Sequence, residues 1–368
     1  MFLELCRIWP NADLYTTVYD EDGTEGRFAG RQVYTSFLQR LRPTARTFRA
    51  LLPLYPAAIE SFDLSDYDLV VSSSSAWAHA VICDERSVHV SYCYNPFRYA
   101  WNDRDRTLAS RNDPISRAFL RRIFRRWRQW DWIAAQRTDR YIAISRTTQA
   151  RIRAYFGRDS NVVYPPVDTE RFHRSPVGEH YALVSELMSH KQIEDAIDAF
   201  NALRRPLVVV GDGPDARRLR RAAGPTITFT GRVPDEQVSE IIETSRALIV
   251  TAIEEFGIAA VESQAAGRPV IARRGGGALE TVVDGITGTF WTGGGRELAD
   301  TIAGFDEAAI DPQACIRNAA RFNKASFRAG IEAEVEAACT SDARPAVGDR
   351  QLRPTARFVM RAARSQNR

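Results

Sequence analysis

Residues 251–285 read TAIEEFGIAAVESQAAGRPVIARRGGGALETVVDG. The spacing predicts a strand ending near Thr251, a turn through Phe256-Gly257-Ile258, a helix carrying Glu262, a turn at Gly267-Arg268-Pro269 and another strand. The same alternation extends outward. YALVS (181–185), PLVVVGDG (206–213), ITFTGRV (227–233), RALIVTA (246–252) and PVIARR (269–274) are short apolar, β-branched runs. Between them lie KQIEDAIDAFNAL, PDARRLRRAA and DEQVSEIIETS, with apolar residues at helical spacing, and a helical block follows at 295–338. Continuous apolar strands alternating with helices imply a parallel sheet covered on both faces.

The first half repeats the theme less regularly. ADLYTTV (12–18), DLVVSSS (68–74), SVHVSYCY (87–94), RYIAIS (140–145) and NVVYPPV (161–167) read as strands, and 114–137 as one helix rich in Arg and Trp. The expected organisation is an α/β domain at 1–167, a polar linker at 168–180, a second α/β domain at 181–340 and an arginine-rich tail at 341–368. Residues 2–9 read as a helix, and no strand precedes them. Either the fold starts with a helix, or the chain begins about twenty residues inside a domain that opens with a strand and a glycine-rich turn.

Composition sets the class. Hydrophobic residues make up 44% and charged residues 26% of the 368, which excludes a disordered chain, a collagen or a coiled coil. No apolar run reaches the ~18–20 residues of a membrane span. The N-terminus lacks a signal-peptide pattern, and the five scattered cysteines suit a reducing cytoplasm. Only Lys191 and Lys324 are lysines; the arginine bias is read as genomic. The net charge is +4, yet 341–368 holds seven arginines against two aspartates, so the body is close to neutral. No nucleic-acid partner is expected.

The chemistry of 251–285 follows from its pattern. Gly257 lets a ligand approach the backbone, and the helix start after it offers free N–H groups to a phosphate. Glu262 lies about one turn into that helix and suits ribose hydroxyls; Glu254 precedes the turn and could reach a sugar hydroxyl. Two exposed structural glutamates are the plain alternative, and a carboxylate pair also fits glycoside hydrolysis. The flanking glycines and helix start favour phosphate. Asp103-Arg104-Asp105 is a formal D-x-D metal motif, read as loop.

The segment resembles the donor-site signature of the family-4 retaining glycosyltransferases: two glutamates eight positions apart around Phe-Gly-Ile, then Ala-Ala-Gly-x-Pro-Val-Ile-Ala and Gly-Gly-x-x-Glu-x-Val-x-Asp-Gly-x-Thr-Gly. VVYPPVDTERF, LVVVGDGPDARRL and FTGRVPDEQV extend the resemblance, which covers about residues 2–335. SSSSAWAHAV followed by YCYNPFRYAW makes it most similar to the O-antigen and exopolysaccharide mannosyltransferases. The resemblance implies a GT-B fold of two Rossmann-like domains facing across a cleft, with the nucleotide sugar in the C-terminal one. It implies retaining transfer of a hexose, mannose from GDP-mannose, to a glycan or polyprenyl-linked acceptor in surface polysaccharide synthesis, without metal or other cofactor. Carried over, Glu262 would hold the ribose, Glu254 the donor sugar and Lys191 the diphosphate, with backbone near Gly257 and Ile258. Arg232 and Val233 would line the base, and Gly211 and Gly213 would face the same cleft. Tyr94 would stand near the reacting sugar, with Asn95 and Arg98 on the acceptor side.

Three departures bear on activity. Ser185-Glu186-Leu187 stands where the family has Ser-Arg-Leu, its arginine a second diphosphate cation. A carboxylate ~4 Å from a phosphate charge is unfavourable by about 4 kcal/mol at an effective dielectric of ~20. Glu186 must therefore turn away, pair with an arginine or weaken the donor. Tyr94 replaces a usual histidine and Asn102 a frequent aspartate, and the family's first strand and glycine-rich turn are not seen. The alternative function is a catalytically impaired or truncated relative that binds a partner. Residues 117–132, RAFLRRIFRRWRQWDW, form an amphipathic basic helix that either packs on the core or touches anionic lipid from the cytoplasm.

Overall fold

In the computed structural model, which describes residues 1–42, 47–109, 113–340 and 357–360, the chain divides into two compact units. The first comprises Met1–Val163 and returns at Arg328; the second is Tyr164–Phe327. The division differs from the expected boundaries in two ways. The polar stretch 168–180 belongs to the second unit, and most of helix Lys324–Thr340 belongs to the first. Its Glu334 takes a hydrogen bond from Arg140 at 2.6 Å, and its Gly330 meets Val163.

In the first unit the strands are β1 (Leu14–Thr16), β2 (Val33–Thr35), β3 (Leu69–Ser74), β4 (Val88–Cys93), β5 (Arg140–Ala143) and β6 (Ser160–Val162). The second unit carries β7 (Tyr181–Val184), β8 (Leu207–Val210), β9 (Ile227–Gly231), β10 (Leu248–Val250), β11 (Val270–Arg273) and β12 (Gly288–Trp291). A last strand, β13 (Arg357–Met360), belongs to the first unit. The sheets run β2-β1-β13-β3-β4-β5-β6 and β12-β11-β10-β7-β8-β9, and every pairing is parallel. Leu183, Val209 and Ile249 pack with Ile197 and Phe200 in one core, and Ala182, Leu248 and Val270 pack with Ala260 in another, as a parallel sheet covered on both faces requires.

Most expected strands are present. NVVYPPV stops pairing at Val162, ahead of the two prolines. The short, half-exposed edge strand β2 escapes a search for apolar runs. The arginine-rich helix forms over Pro114–Ala135, with Asp113 accepting from the Ile115 and Ser116 N–H groups and Pro114 at its first turn. One face is core: Phe124 is buried, and Trp127 and Trp130 pack edge-on against buried Trp77. On this face buried Asp131 accepts from Trp101 Nε1 at 2.6 Å and lies 3.3 Å from His79 Nε2.

Candidate functional site

The second sheet builds its site where the strand order reverses. The chain runs outward from β7 through β8 to β9, then returns to β10 on the other side of β7. Loops leaving the carboxyl ends of β7 and β10 meet there, the place where open α/β sheets bind their ligands. The β7 loop supplies Glu186 and Lys191; the β10 loop supplies Glu254, Gly257 and the helix Ile258–Ala265. Lys191 Nζ and Glu254 Oε1 meet at 2.5 Å, with side chains only 21% and 31% exposed. Thr251 Oγ1 donates to the Lys191 carbonyl at 2.6 Å and ties the two loops together.

Gly257 caps the helix at φ 87°, a left-handed conformation that an L side chain adopts only with strain. No side chain caps this helix; the Ala260 N–H donates to the Gly257 carbonyl at 3.2 Å, and the N–H groups ahead of it are without a side-chain cap. Glu262 sits one turn in, its side chain 17% exposed, and accepts from Arg171 Nη2 at 3.1 Å. Burial raises its pKa above the ordinary glutamate value, with Arg171 opposing. Arg171 also reaches Asp235 at 3.4 Å.

Gly211 and Gly213 follow β8 at the same edge, where they serve the backbone. At Gly211 (φ 126°) a Cβ would overlap the Ser185 carbonyl, and at Gly213 the Leu187 carbonyl. These glycines hold the loop that carries Glu186. Glu186 is half-buried and forms no ion pair among the described residues. Arg232 and Val233 follow β9, two strands from the switch point, Arg232 exposed and Val233 half-buried.

In the first unit, Tyr94 leaves the carboxyl end of β4 and its hydroxyl bonds the Ser73 hydroxyl at the end of β3. Burial pushes the Tyr94 hydroxyl up to about 12, with the Ser73 bond opposing, so at neutral pH it stays protonated. Asn95 donates to Asn102 at 3.2 Å and accepts from Arg151 at 2.7 Å; Arg98 lies 3.5 Å from Asp103. Asn102, where the resemblance leads one to expect aspartate, thus positions Asn95.

Sequence reasoning missed Arg171, Thr251, Ser73 and Arg151. Arg171 lay in VDTERF, inside the stretch read as linker, and Ser73 in the serine run ending β3. Each is recognisable only once its partner is placed. No cluster of three or more potential metal ligands occurs among the described residues.

The chain matches the family described as Glycosyltransferase Family 4 over residues 2–171 and that described as Glycosyl transferases group 1 over 171–322. It belongs to the family-4 glycosyltransferases, of GT-B fold. Its relatives include a GDP-mannose-dependent alpha-(1-6)-phosphatidylinositol monomannoside mannosyltransferase of Mycolicibacterium smegmatis, 30% identical over 54% of this chain and 58% of that one. A GDP-mannose-dependent alpha-mannosyltransferase of Corynebacterium glutamicum is 29% identical over 43% and 42%. The match spans about half the length of these relatives. Among solved structures, HepE of Anabaena in complex with UDP aligns with a TM-score of 0.65 at 18% identity, over 91% of this chain and 96% of that one. Sucrose-phosphate synthase of Thermosynechococcus elongatus aligns with a TM-score of 0.63 at 17% identity, over 82% of each. At these identities the likeness is one of fold.

Proposed function

We propose that this chain transfers a mannosyl group from GDP-mannose, with retention of anomeric configuration and without a metal ion, to a glycan or lipid-linked glycan acceptor. The observation that carries the reading is the Lys191–Glu254 pair at the switch point of the second sheet, one loop from an uncapped helix start. Breaking a glycosyl–phosphate bond leaves negative charge on the diphosphate. Lys191 and the N–H groups at the start of Ile258–Ala265 would stabilise it, and Glu254 would hold a sugar hydroxyl. Glu262, steadied by Arg171, would take the ribose. The names of the mannosyltransferase relatives support the donor.

Transfer is tested with radiolabelled GDP-mannose and a membrane lipid extract in the presence of EDTA. Label should enter the lipid or glycan fraction, carry the α configuration by one-bond C–H coupling, and vanish in Glu254→Gln. A β-linked product or a strict need for added metal would overturn the mechanism.

A second reading, a binding-competent but catalytically impaired relative, is favoured by Glu186, half-buried and without an ion pair among the described residues, and by Tyr94 being held to Ser73. It predicts GDP binding without label transfer. Acceptor delivery would use the outer face of helix Pro114–Ala135. Ile115 and Phe119 are 79% and 64% exposed, and Arg121, Arg122, Arg125 and Arg126 stand beside them. Such a face suits the surface of an anionic membrane in the cytoplasm. No helix among the described residues is long and apolar enough to cross one.

A further inference from the structure

We infer that Glu254 competes with the diphosphate for Lys191, and that this competition lets the site tell a sugar-bearing donor from the nucleoside diphosphate left after transfer. The inference rests on the donor reading of the second unit and gives one of its residues a further role.

Two backbones are held still there, while two side chains are able to part. The Lys191 N–H donates to the Met188 carbonyl at 2.9 Å, and the Lys191 carbonyl accepts from the buried Thr251 hydroxyl at 2.6 Å. On the other loop the Glu254 carbonyl accepts from the Gly277 N–H at 2.8 Å. A Cβ at Gly276 would stand 2.2 Å from that same oxygen, so the two backbones pack directly. Between these anchors the ammonium and the carboxylate meet, each partly open to solvent.

The carboxylate stands where an anion would. Its Oε1 accepts from Lys191 at 2.5 Å. Its Oε2 lies 3.8 Å from where a Cβ on Gly257 would be, at the uncapped start of helix Ile258–Ala265. Glu254 thus engages the lysine and lies against the helix start, the two groups proposed for the diphosphate. A diphosphate reaches Lys191 only by displacing this carboxylate or by sharing the ammonium with it, and sharing brings like charges together.

The two ligands differ in what they offer the displaced carboxylate. A nucleotide sugar brings sugar hydroxyls, and a charge-assisted hydrogen bond from one of them offsets the lost ion pair. A free nucleoside diphosphate brings no such hydroxyl, and its terminal phosphate carries more negative charge than the diester it came from. Glu254 then has Lys191 to return to, and returning weakens the hold on the product. One carboxylate favours the donor while the sugar is attached and helps to expel the diphosphate once it is gone.

Calorimetric titration of GDP and of GDP-mannose into the parent chain, Glu254→Gln, Lys191→Ala and the double variant tests this. Glutamine keeps the shape of a partly exposed side chain and removes its charge. Glu254→Gln should bind GDP at least about fivefold more tightly than the parent, and its preference for GDP-mannose over GDP should fall at least about tenfold. The gain for GDP should be larger with Lys191 present than in the Lys191→Ala background, because the freed ammonium adds to the relief of repulsion. GDP binding by Glu254→Gln no tighter than by the parent would overturn the inference. Equal gains in the two backgrounds would also overturn it, since Glu254 would then act only as a nearby like charge. Either result leaves the donor reading standing so long as Lys191→Ala weakens GDP. If Lys191→Ala leaves GDP affinity unchanged, or the parent binds no GDP, the donor reading falls and the inference with it.

Discussion

At the residue scale the proposed donor site has two carboxylates with different surroundings. Glu254 is answered by Lys191 at 2.5 Å, whereas Glu262 is more deeply buried and shares Arg171 with Asp235. The raised pKa of Glu262 gives a pH dependence whose sign follows directly. Under the proposed ribose role the ionised form is the acceptor, so GDP affinity should fall on acidification, beginning at higher pH than for an ordinary glutamate. Glu262→Gln should remove that component and leave only the titration of the phosphate itself; an unchanged pH profile in the variant would exclude Glu262 from the site. Glu262→Ala should weaken GDP by about 1.5–3 kcal/mol, the size of a charged hydrogen bond. Facing a diphosphate, Glu186 would oppose the same ligand. No arginine pairs with Glu186 among the described residues, which leaves repulsion or an outward side chain. Glu186→Arg should tighten GDP by about 1–3 kcal/mol after screening, roughly 5- to 150-fold by calorimetry. No gain would mean that the side chain points away from the diphosphate.

At the scale of elements, helix Pro114–Ala135 divides its aromatic and basic residues between two jobs. Trp127 and Trp130 face Trp77, and Arg128 lies over the Trp101 ring at 4.6 Å, so this arginine belongs to the packed side. Ile115, Phe119, Arg122, Arg125 and Arg126 remain outward. Reversing Arg122, Arg125 and Arg126 to glutamate should abolish sedimentation with phosphatidylglycerol vesicles while leaving the far-ultraviolet spectrum unchanged. Failure of the parent protein to sediment would refute the membrane face. The amphipathic pattern was plain in the sequence; which arginine stacks inward was not, because helical spacing leaves Arg128 on the border of both faces.

At the scale of the molecule, the α/β class was legible from apolar runs alternating with helical spacing, and the residues proposed for the donor lie in or just after loops leaving strands. Lys191, Gly211, Arg232, Glu254 and Glu262 all follow carboxyl ends of one parallel sheet. The domain boundaries were less legible. Polar composition marked 168–180 as linker, yet Arg171 within it holds Glu262, and the chain returns to the first unit at Arg328. Strand β13 was not legible in the sequence. Four residues in an arginine-rich tail give no period, and only the register with β1 and β3 identifies them.

The central claim is that the switch point of the second sheet binds a nucleoside diphosphate through Lys191. Calorimetric titration of GDP into the parent chain and Lys191→Ala tests it most directly. The account predicts saturable one-site binding by the parent, and at least a tenfold loss in the variant, equivalent to about 1.4 kcal/mol. Equal affinity in the two proteins, or no binding by the parent, would contradict it.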